Sequence, residues 1–464
     1  MSLDTVSALH LEAFGGRASI PTLDRLGETG RLFTAATTPW PETGPAHWSA
    51  MTGVLPEAHG QVWLRKDSAS TAPTLAELAA AGGWATGAFI GGYTLTREES
   101  GIDRGFQTWD QGHLMDPAYT ETSDPQTSAK GLFVRRRAGE VVDSALAWTG
   151  SQTGPYFSFV HLFNAHFPYA PDAPERFGPV SSTLPADPLA REERLRAARD
   201  GVLQLTPDEL QAAALLYEAG IAELDAALEA LVEGVGCAPG AGACDVIIVV
   251  MADHGESFAP EYPFNHRGAL TPEVLRVPLV IAGPGVEAGP DPRAASLLDL
   301  APTIAGQLGL AQQYPAPAVD LLNGTLPGDR VLVARTNPFD AEQAFGAHRG
   351  PSLALLSSDH HSVLWADGSA VHHGAPMDQA EIDAALGVYR TQLADALERS
   401  PKMGGPMPQP FGSKPSHRLT PTGMVRVGPM RGSGPQGRGR PPGSPVPGGG
   451  GGAPPGGGPS GAQR

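Results

Sequence analysis

The stretch that decides the fold runs Asp245-Val246-Ile247-Ile248-Val249-Val250-Met251-Ala252-Asp253-His254-Gly255-Glu256. An apolar, mostly β-branched run ends abruptly in an Asp-His pair, followed by a glycine and a glutamate. Such a run reads as a strand buried on both faces, the pattern of a parallel sheet. In open α/β sheets, ligands gather just beyond the carboxyl ends of the strands. Asp253 and His254 side by side there, with Gly255 freeing the backbone to turn, suit a divalent-cation site. The structural alternative is a strand-end Asp that caps the next helix beside a surface His, and the rest of the chain decides between them.

Outward from this strand, residues 1–325 alternate helical and strand-like stretches, which predicts an α/β domain. Thr74 to Ala81 reads as a helix stopped by Gly82-Gly83, and Trp84 to Ile90 as the strand that follows. Pro155 to Phe163 is aromatic and β-rich. Thr206-Pro207-Asp208-Glu209 opens a long helix to about Glu233, with Thr at the N-cap, Pro at N1 and Glu at N3. Arg276 to Gly285 reads as strand and turn. From residue 326 to 400 the pattern changes to short strands (Val331–Ala334, Ser352–Leu356, Ser362–Trp365, Ala370–His373) and a helix from Asp378 to Glu398. This predicts a small antiparallel sheet with a closing helix.

The chain has 464 residues, 41% of them apolar, and a formal charge of −17, which argues against a nucleic-acid partner. That charge is uneven. Residues 401–464 carry eight Lys/Arg and no Asp or Glu, in a Pro/Gly-rich composition that predicts a disordered basic tail. No apolar run is long enough for a transmembrane helix. Met1 is followed at once by Ser2-Leu3-Asp4, with no leader segment. Cys237 and Cys244, the only cysteines, bracket a small-residue loop and fit either a disulfide, with the oxidising compartment that implies, or two free thiols.

Further segments join Asp253-His254. They are Ser2-Leu3-Asp4-Thr5; Thr43-Gly44-Pro45-Ala46-His47-Trp48-Ser49-Ala50-Met51-Thr52-Gly53; His161-Leu162-Phe163-Asn164-Ala165-His166; His266-Arg267-Gly268; the Arg276-Val277-Pro278 strand; and Leu298-Asp299-Leu300-Ala301-Pro302-Thr303. In this order and spacing, residues 2–310 resemble the sulfatase family of the alkaline phosphatase superfamily. The resemblance implies a doubly wound, mostly parallel sheet flanked by helices, a smaller C-terminal subdomain, and one divalent metal ion (Mn, Zn, Ca or Mg). Asp4, Asp253 and His254 match the family's metal ligands, and Thr43 stands at the metal-activated nucleophile position, which makes it the fourth expected ligand. His47 occupies a place where many members have arginine. His166 matches a substrate-facing histidine, and His266 a position near the leaving group. His59 reads as structural, and Asp299 as the cap of a helix beginning near Ala301. His360-His361 and His372-His373 are adjacent strand residues, which point to opposite faces and do not make a metal cluster.

Three departures shape the expected chemistry. Sulfatases oxidise a Cys or Ser at the nucleophile position to formylglycine, whereas the secondary alcohol of Thr43 cannot give that aldehyde. Gly91-Gly92-Tyr93 stands where sulfatases commonly place a Lys and a His that grip sulfate, and Asn164 where Asp is frequent. The threonine and the missing Lys and His favour phosphate over sulfate; the expected substrate is a small-molecule, lipid or glycan anionic ester, whose identity the sequence does not specify. A sulfuric ester hydrolase working without formylglycine and a catalytically silent binding protein are the alternatives. The third departure is a first strand reduced to Met1-Ser2-Leu3, which predicts a frayed Asp4. An upstream extension carrying a leader would make the protein periplasmic or secreted, so localisation is left open.

Overall fold

The computed structural model describes residues 1–62, 70–114, 135–237, 244–260, 263–267, 270–310, 313–326, 328, 330–336, 353–356, 360–364, 370–374 and 377–399. The basic tail expected over residues 401–464 and the loop between the two cysteines lie outside them.

Eight strands form one mixed sheet: β1 (Ser2–Leu3), β2 (Arg31–Thr37), β3 (Ala85–Ile90), β4 (Thr108–Asp110), β5 (Tyr156–Leu162), β6 (Ile248–Met251), β7 (Leu279–Ala282) and β8 (Gly289–Ser296). Their order is β4-β3-β5-β1-β6-β7-β2-β8. Within this sheet β7 alone runs against its neighbours, β6 and β2; the remaining pairs are parallel. The doubly wound α/β sheet flanked by helices is therefore the fold. The apolar run at 245–251 yields a shorter strand than its composition predicts. β6 begins only at Ile248, where pairing with the four-residue β7 begins, and Ile248 and Val249 are half-buried while Val250 and Met251 are fully buried.

β2 and β8 were not anticipated. β8 contains Pro290 and Pro292, which conceal it in the sequence; it lies at the edge of the sheet, where missing backbone donors are tolerated. The long helix opens as expected, with the Thr206–Glu209 capping box, but it is two helices, Pro207–Ala222 and Leu224–Gly234. At the break, the Glu223 carboxylate accepts from the backbone N–H groups of Asp172 and Ala173. Asp299 is the N-cap residue of the helix Leu300–Gln307, yet its side chain makes no cap bond there. It accepts instead from Ser296 N–H, Val319 N–H and both terminal nitrogens of Arg330. Cys237 and Cys244 form a disulfide with Cα atoms 4.9 Å apart. Among the described residues no helix is long and apolar enough to cross a membrane.

A second, antiparallel sheet comprises β9 (Leu332–Arg335), β10 (Leu353–Leu356), β11 (His360–Leu364) and β12 (Ala370–Gly374), followed by the helix Gln379–Arg399. Leu355, Ile382 and Leu393 join Val54, Leu55 and Leu298 in one buried cluster. In it, Arg335 donates to Glu57 Oε1 at 2.8 Å, and the Tyr389 hydroxyl donates to the same oxygen at 2.6 Å. Breaking a buried ion pair leaves an uncompensated charge. Glu57→Ala should therefore cost about 3–5 kcal/mol in urea unfolding; a loss below about 1 kcal/mol, the range of exposed pairs, would contradict this account.

The segment after β1 is fixed by His10, whose ring nitrogens each lie 3.0 Å from a carboxylate, Glu218 and Glu273. Burial alone would lower the His10 pKa, but hydrogen bonds to the two glutamates raise it to about 9. A raised folded-state pKa gives stability that is fully present below the ordinary 6.5 and is lost as pH rises through about 9. The stability gap between the native protein and His10→Gln should accordingly narrow between these pH values in denaturant titrations. A gap that stays constant or widens over that range would exclude the assignment.

Candidate metal centre and active site

Four strands bring their carboxyl ends toward one site. Asp4 follows β1, and its N–H donates to Leu162 O of β5 at 2.9 Å. β5 presents His161, with Nε2 at 2.9 Å from Asp4 Oδ2. β6, on the other side of β1, leads into Asp253 and His254. β2 leads into the helix Thr43–Thr52, all ten residues of which are buried and whose first residue is Thr43.

Asp4, Asp253 and His254 each offer one ligand atom, all within 4.8 Å of one another, and all three residues are fully buried. Asp4 is thus not frayed: strands pair with β1 on both sides. The alternative of a helix-capping Asp and a surface His fails on the same burial. Gly255 is required where it stands, because a Cβ there would lie 2.1 Å from Glu273 O. Thr43 Oγ1 is 3.4 Å from His254 Nε2.

The residues present fit a divalent cation. Asp253 Oδ2 accepts no hydrogen bond although it is buried. Burial first, and then the charge of Asp4, pushes the Asp253 pKa up. Burial also opposes ionisation of Asp4, but its hydrogen bond to His161 and the surrounding imidazoles hold it well below the usual carboxylate range. His254 is buried too, yet Asp253 and Asp4 raise its pKa. Asp4 is shifted toward ionisation and Asp253 away from it, so a bound cation would stabilise both as anions. Two carboxylates and an imidazole are compatible with Mn, Zn, Ca or Mg.

The other histidines surround this cluster. His47 Nδ1–H donates to Thr43 O at 2.7 Å, and its Nε2 lies 2.8 Å from the Ser2 hydroxyl. Burial lowers its pKa to about 3, which makes it a neutral imidazole. His166 stacks on Phe163, ring centroids 4.2 Å apart, and donates from Nδ1 to Phe167 O. His266 stacks on His254 at 4.0 Å, with Nδ1 3.3 Å from Glu256 Oε1. His59 accepts from Gln61 N–H and pairs with the Ser49 hydroxyl of the helix Thr43–Thr52.

Sequence reasoning did not single out Thr5, His161, Tyr217 or Glu256. Thr5 has φ of +61°, a left-handed conformation costing a β-branched residue about 1–2 kcal/mol. In that conformation its hydroxyl donates to Asp4 Oδ1 at 2.6 Å and its N–H to Asp253 Oδ1 at 2.9 Å. Tyr217 fixes it by donating to Thr5 O and accepting from Ser7 N–H. His161 carried a visible signal, as a polar residue inside an aromatic strand, and Glu256 closes the stretch that decides the fold.

The model of the sulfatase family matches residues 2–310, and the chain belongs to that family. No curated protein matches it. Among solved structures it is similar to the phosphonate monoester hydrolase of Agrobacterium radiobacter, at 19% identity and a TM-score of 0.64, over 86% of this chain and 94% of that one. The phosphonate monoester hydrolase from Silicibacter pomeroyi is similar at 19% identity and a TM-score of 0.63, with the same coverages of 86% and 94%. A third, solved with its substrate D-glucosamine-2-N,6-O-disulfate, has 16% identity and a TM-score of 0.62, over 86% of this chain and 96% of that one. At such identities the likeness is one of fold.

The cluster predicts uptake of one divalent ion per chain, measured by metal analysis after dialysis. Asp253→Ala should abolish it. At an ion concentration a hundredfold above Kd, the native protein should gain about 2.7 kcal/mol of stability. Equal uptake by native protein and variant would place the metal elsewhere.

Proposed function

We propose that this chain cleaves or transfers an anionic ester, phosphate in preference to sulfate, with Thr43 as the nucleophile. The observation that carries this reading is the position of Thr43 Oγ1, 3.4 Å from His254 Nε2 within the Asp4–Asp253–His254 cluster. The family is one of ester hydrolases, and phosphonate monoester hydrolases are among its structural likenesses, which supports phosphorus chemistry. The choice against sulfate rests on Thr43 itself, which cannot become formylglycine.

Asp4, Asp253 and His254 would hold the cation, with Thr43 facing it. When bound, such an ion supplies Lewis acidity, favouring loss of the Thr43 hydroxyl proton to water and offsetting charge on the ester oxygens. The chain's own residues do the rest. His47 fixes Thr43 through its carbonyl, and the amino end of the helix Thr43–Thr52 favours an anion beside Oγ1. His166 faces the substrate's anionic group, and His266 lies toward the departing oxygen.

Thr43→Ala should lower turnover of aryl phosphate mono- or diesters by at least about a thousandfold while metal uptake is retained. Thr43→Ser should keep much of it, and the intact mass of the Thr43 peptide should match unmodified threonine. Undiminished turnover in Thr43→Ala would refute the nucleophile, activity on aryl sulfate alone would favour the sulfuric ester reading, and silence on every ester despite bound metal would favour a binding protein.

A further inference from the structure

We propose that Arg199 forms a second anion subsite beside the ester-cleaving centre, so that the substrate is an ester carrying a further anionic group such as a carboxylate; this rests on the ester-cleaving reading above. Arg199 is the last residue of the helix Pro188–Arg199, which lies in the segment between β5 and the helix Pro207–Ala222. The helix holds four arginines and two glutamates in an otherwise acidic chain. Its last turn brings two guanidinium groups to one ring: Arg199 Cζ lies 4.9 Å from the Phe167 centroid and Arg196 Cζ 5.7 Å. The two are engaged differently. Arg196 pairs at 2.6 Å with Glu192, a buried carboxylate one turn back. Arg199 pairs through Nε at 3.2 Å with Asp200, whose side chain is 52% exposed. An exposed pair of that kind contributes little, so a ligand anion can compete for Arg199 at small cost.

Phe167 ties this guanidinium to the site. It follows His166, whose Nδ1 donates to Phe167 O, and its ring stacks at 6.0 Å on Phe264, two residues before His266. The ring is fully buried, which makes it a fixed platform. A guanidinium laid on an aromatic face keeps its N–H fork in its own plane, the geometry that matches an oxyanion. The charge of Arg199 acts on Tyr93, His166, Tyr169 and His266, which follow β3, β5 and β6. The group being cleaved is held at Thr43 and the Asp4–Asp253–His254 cluster, whereas Arg199 acts on the surrounding wall, which points to a different part of the substrate.

The 2-, 3- and 4-carboxyphenyl phosphates and their methyl esters form pairs in which one member alone carries the second charge. Turnover of the methyl esters tests ester cleavage by itself, and the kcat/KM ratio within each pair tests the subsite. Comparing that ratio between native protein and Arg199→Gln cancels the differing reactivity of the two leaving groups. For at least one isomer the native ratio should favour the carboxylate by on the order of tenfold more than the variant's, chiefly through KM. Arg199→Lys, which keeps the charge and loses the fork, should recover part of that preference. Equal ratios in native protein and Arg199→Gln for all three isomers would overturn the subsite and leave Thr43 untouched; a merely structural role, lowering both members of a pair together, gives that result. Native protein inactive on every one of these phosphates would remove the ester reading, and the subsite with it.

Discussion

Two carboxylates at the ends of adjacent strands, both out of water, are the constraint around which the rest of this site is arranged. Asp4 follows β1 and Asp253 follows β6, with ligand atoms no more than 4.8 Å apart. At an effective dielectric constant of about 20, two like charges at that distance repel by roughly 3 kcal/mol or more. A hydrogen bond to a charged group returns about 1.5–3 kcal/mol, and each carboxylate receives such bonds. Those bonds stabilise each charge separately and leave the mutual repulsion in place. Only a positive charge between the two carboxylates, or a proton on one of them, removes it. The buried Asp253 Oδ2 that accepts no hydrogen bond marks where that compensation is lacking.

Keeping the carboxylates in this relation explains features far from them in sequence. Thr5 adopts an unfavourable left-handed conformation because only there do its N–H and hydroxyl serve Asp253 and Asp4 together. Tyr217 contacts the backbone of both Thr5 and Ser7, from a helix whose neighbouring Glu218 also binds His10. A β1 of only two residues has too few ladder bonds to hold Asp4 by itself. The helix Pro207–Ala222 supplies the missing rigidity through these side chains.

How much of this was legible in the sequence follows from the range of each interaction. The convergence of Asp253 and His254 was legible because they end an apolar run at a turn, whereas Asp4, behind only Met1-Ser2-Leu3, was placed by its likeness to a family motif. The motif containing Thr43 led to a residue whose hydroxyl stands 3.4 Å from His254 Nε2. Thr5 and Tyr217 were not legible, because a backbone conformation and a contact 212 residues apart leave no local pattern. β8 was hidden by Pro290 and Pro292, which are read as turn residues until the strand's place at the sheet edge is known. The break at Glu223 lies within an unbroken helical pattern and is set by Asp172 and Ala173, from another part of the chain.

The packing after β3 leaves no room for a side chain at Gly92. A Cβ on Gly92 would stand 2.3 Å from the Phe163 ring. That ring is the surface on which His166 stacks, at 4.2 Å. Placing a long side chain at position 92 would therefore displace Phe163 and, with it, His166. With His166 held flat on that ring, an anion at this edge meets imidazoles and the amino end of the helix Thr43–Thr52. Burial first, and then the neighbouring imidazoles, Arg267 and Arg199, hold the His266 pKa down. A wall of neutral, directional groups suits an ester whose charge is already offset on its other side, and it places the demand for positive charge on the Asp4–Asp253–His254 cluster.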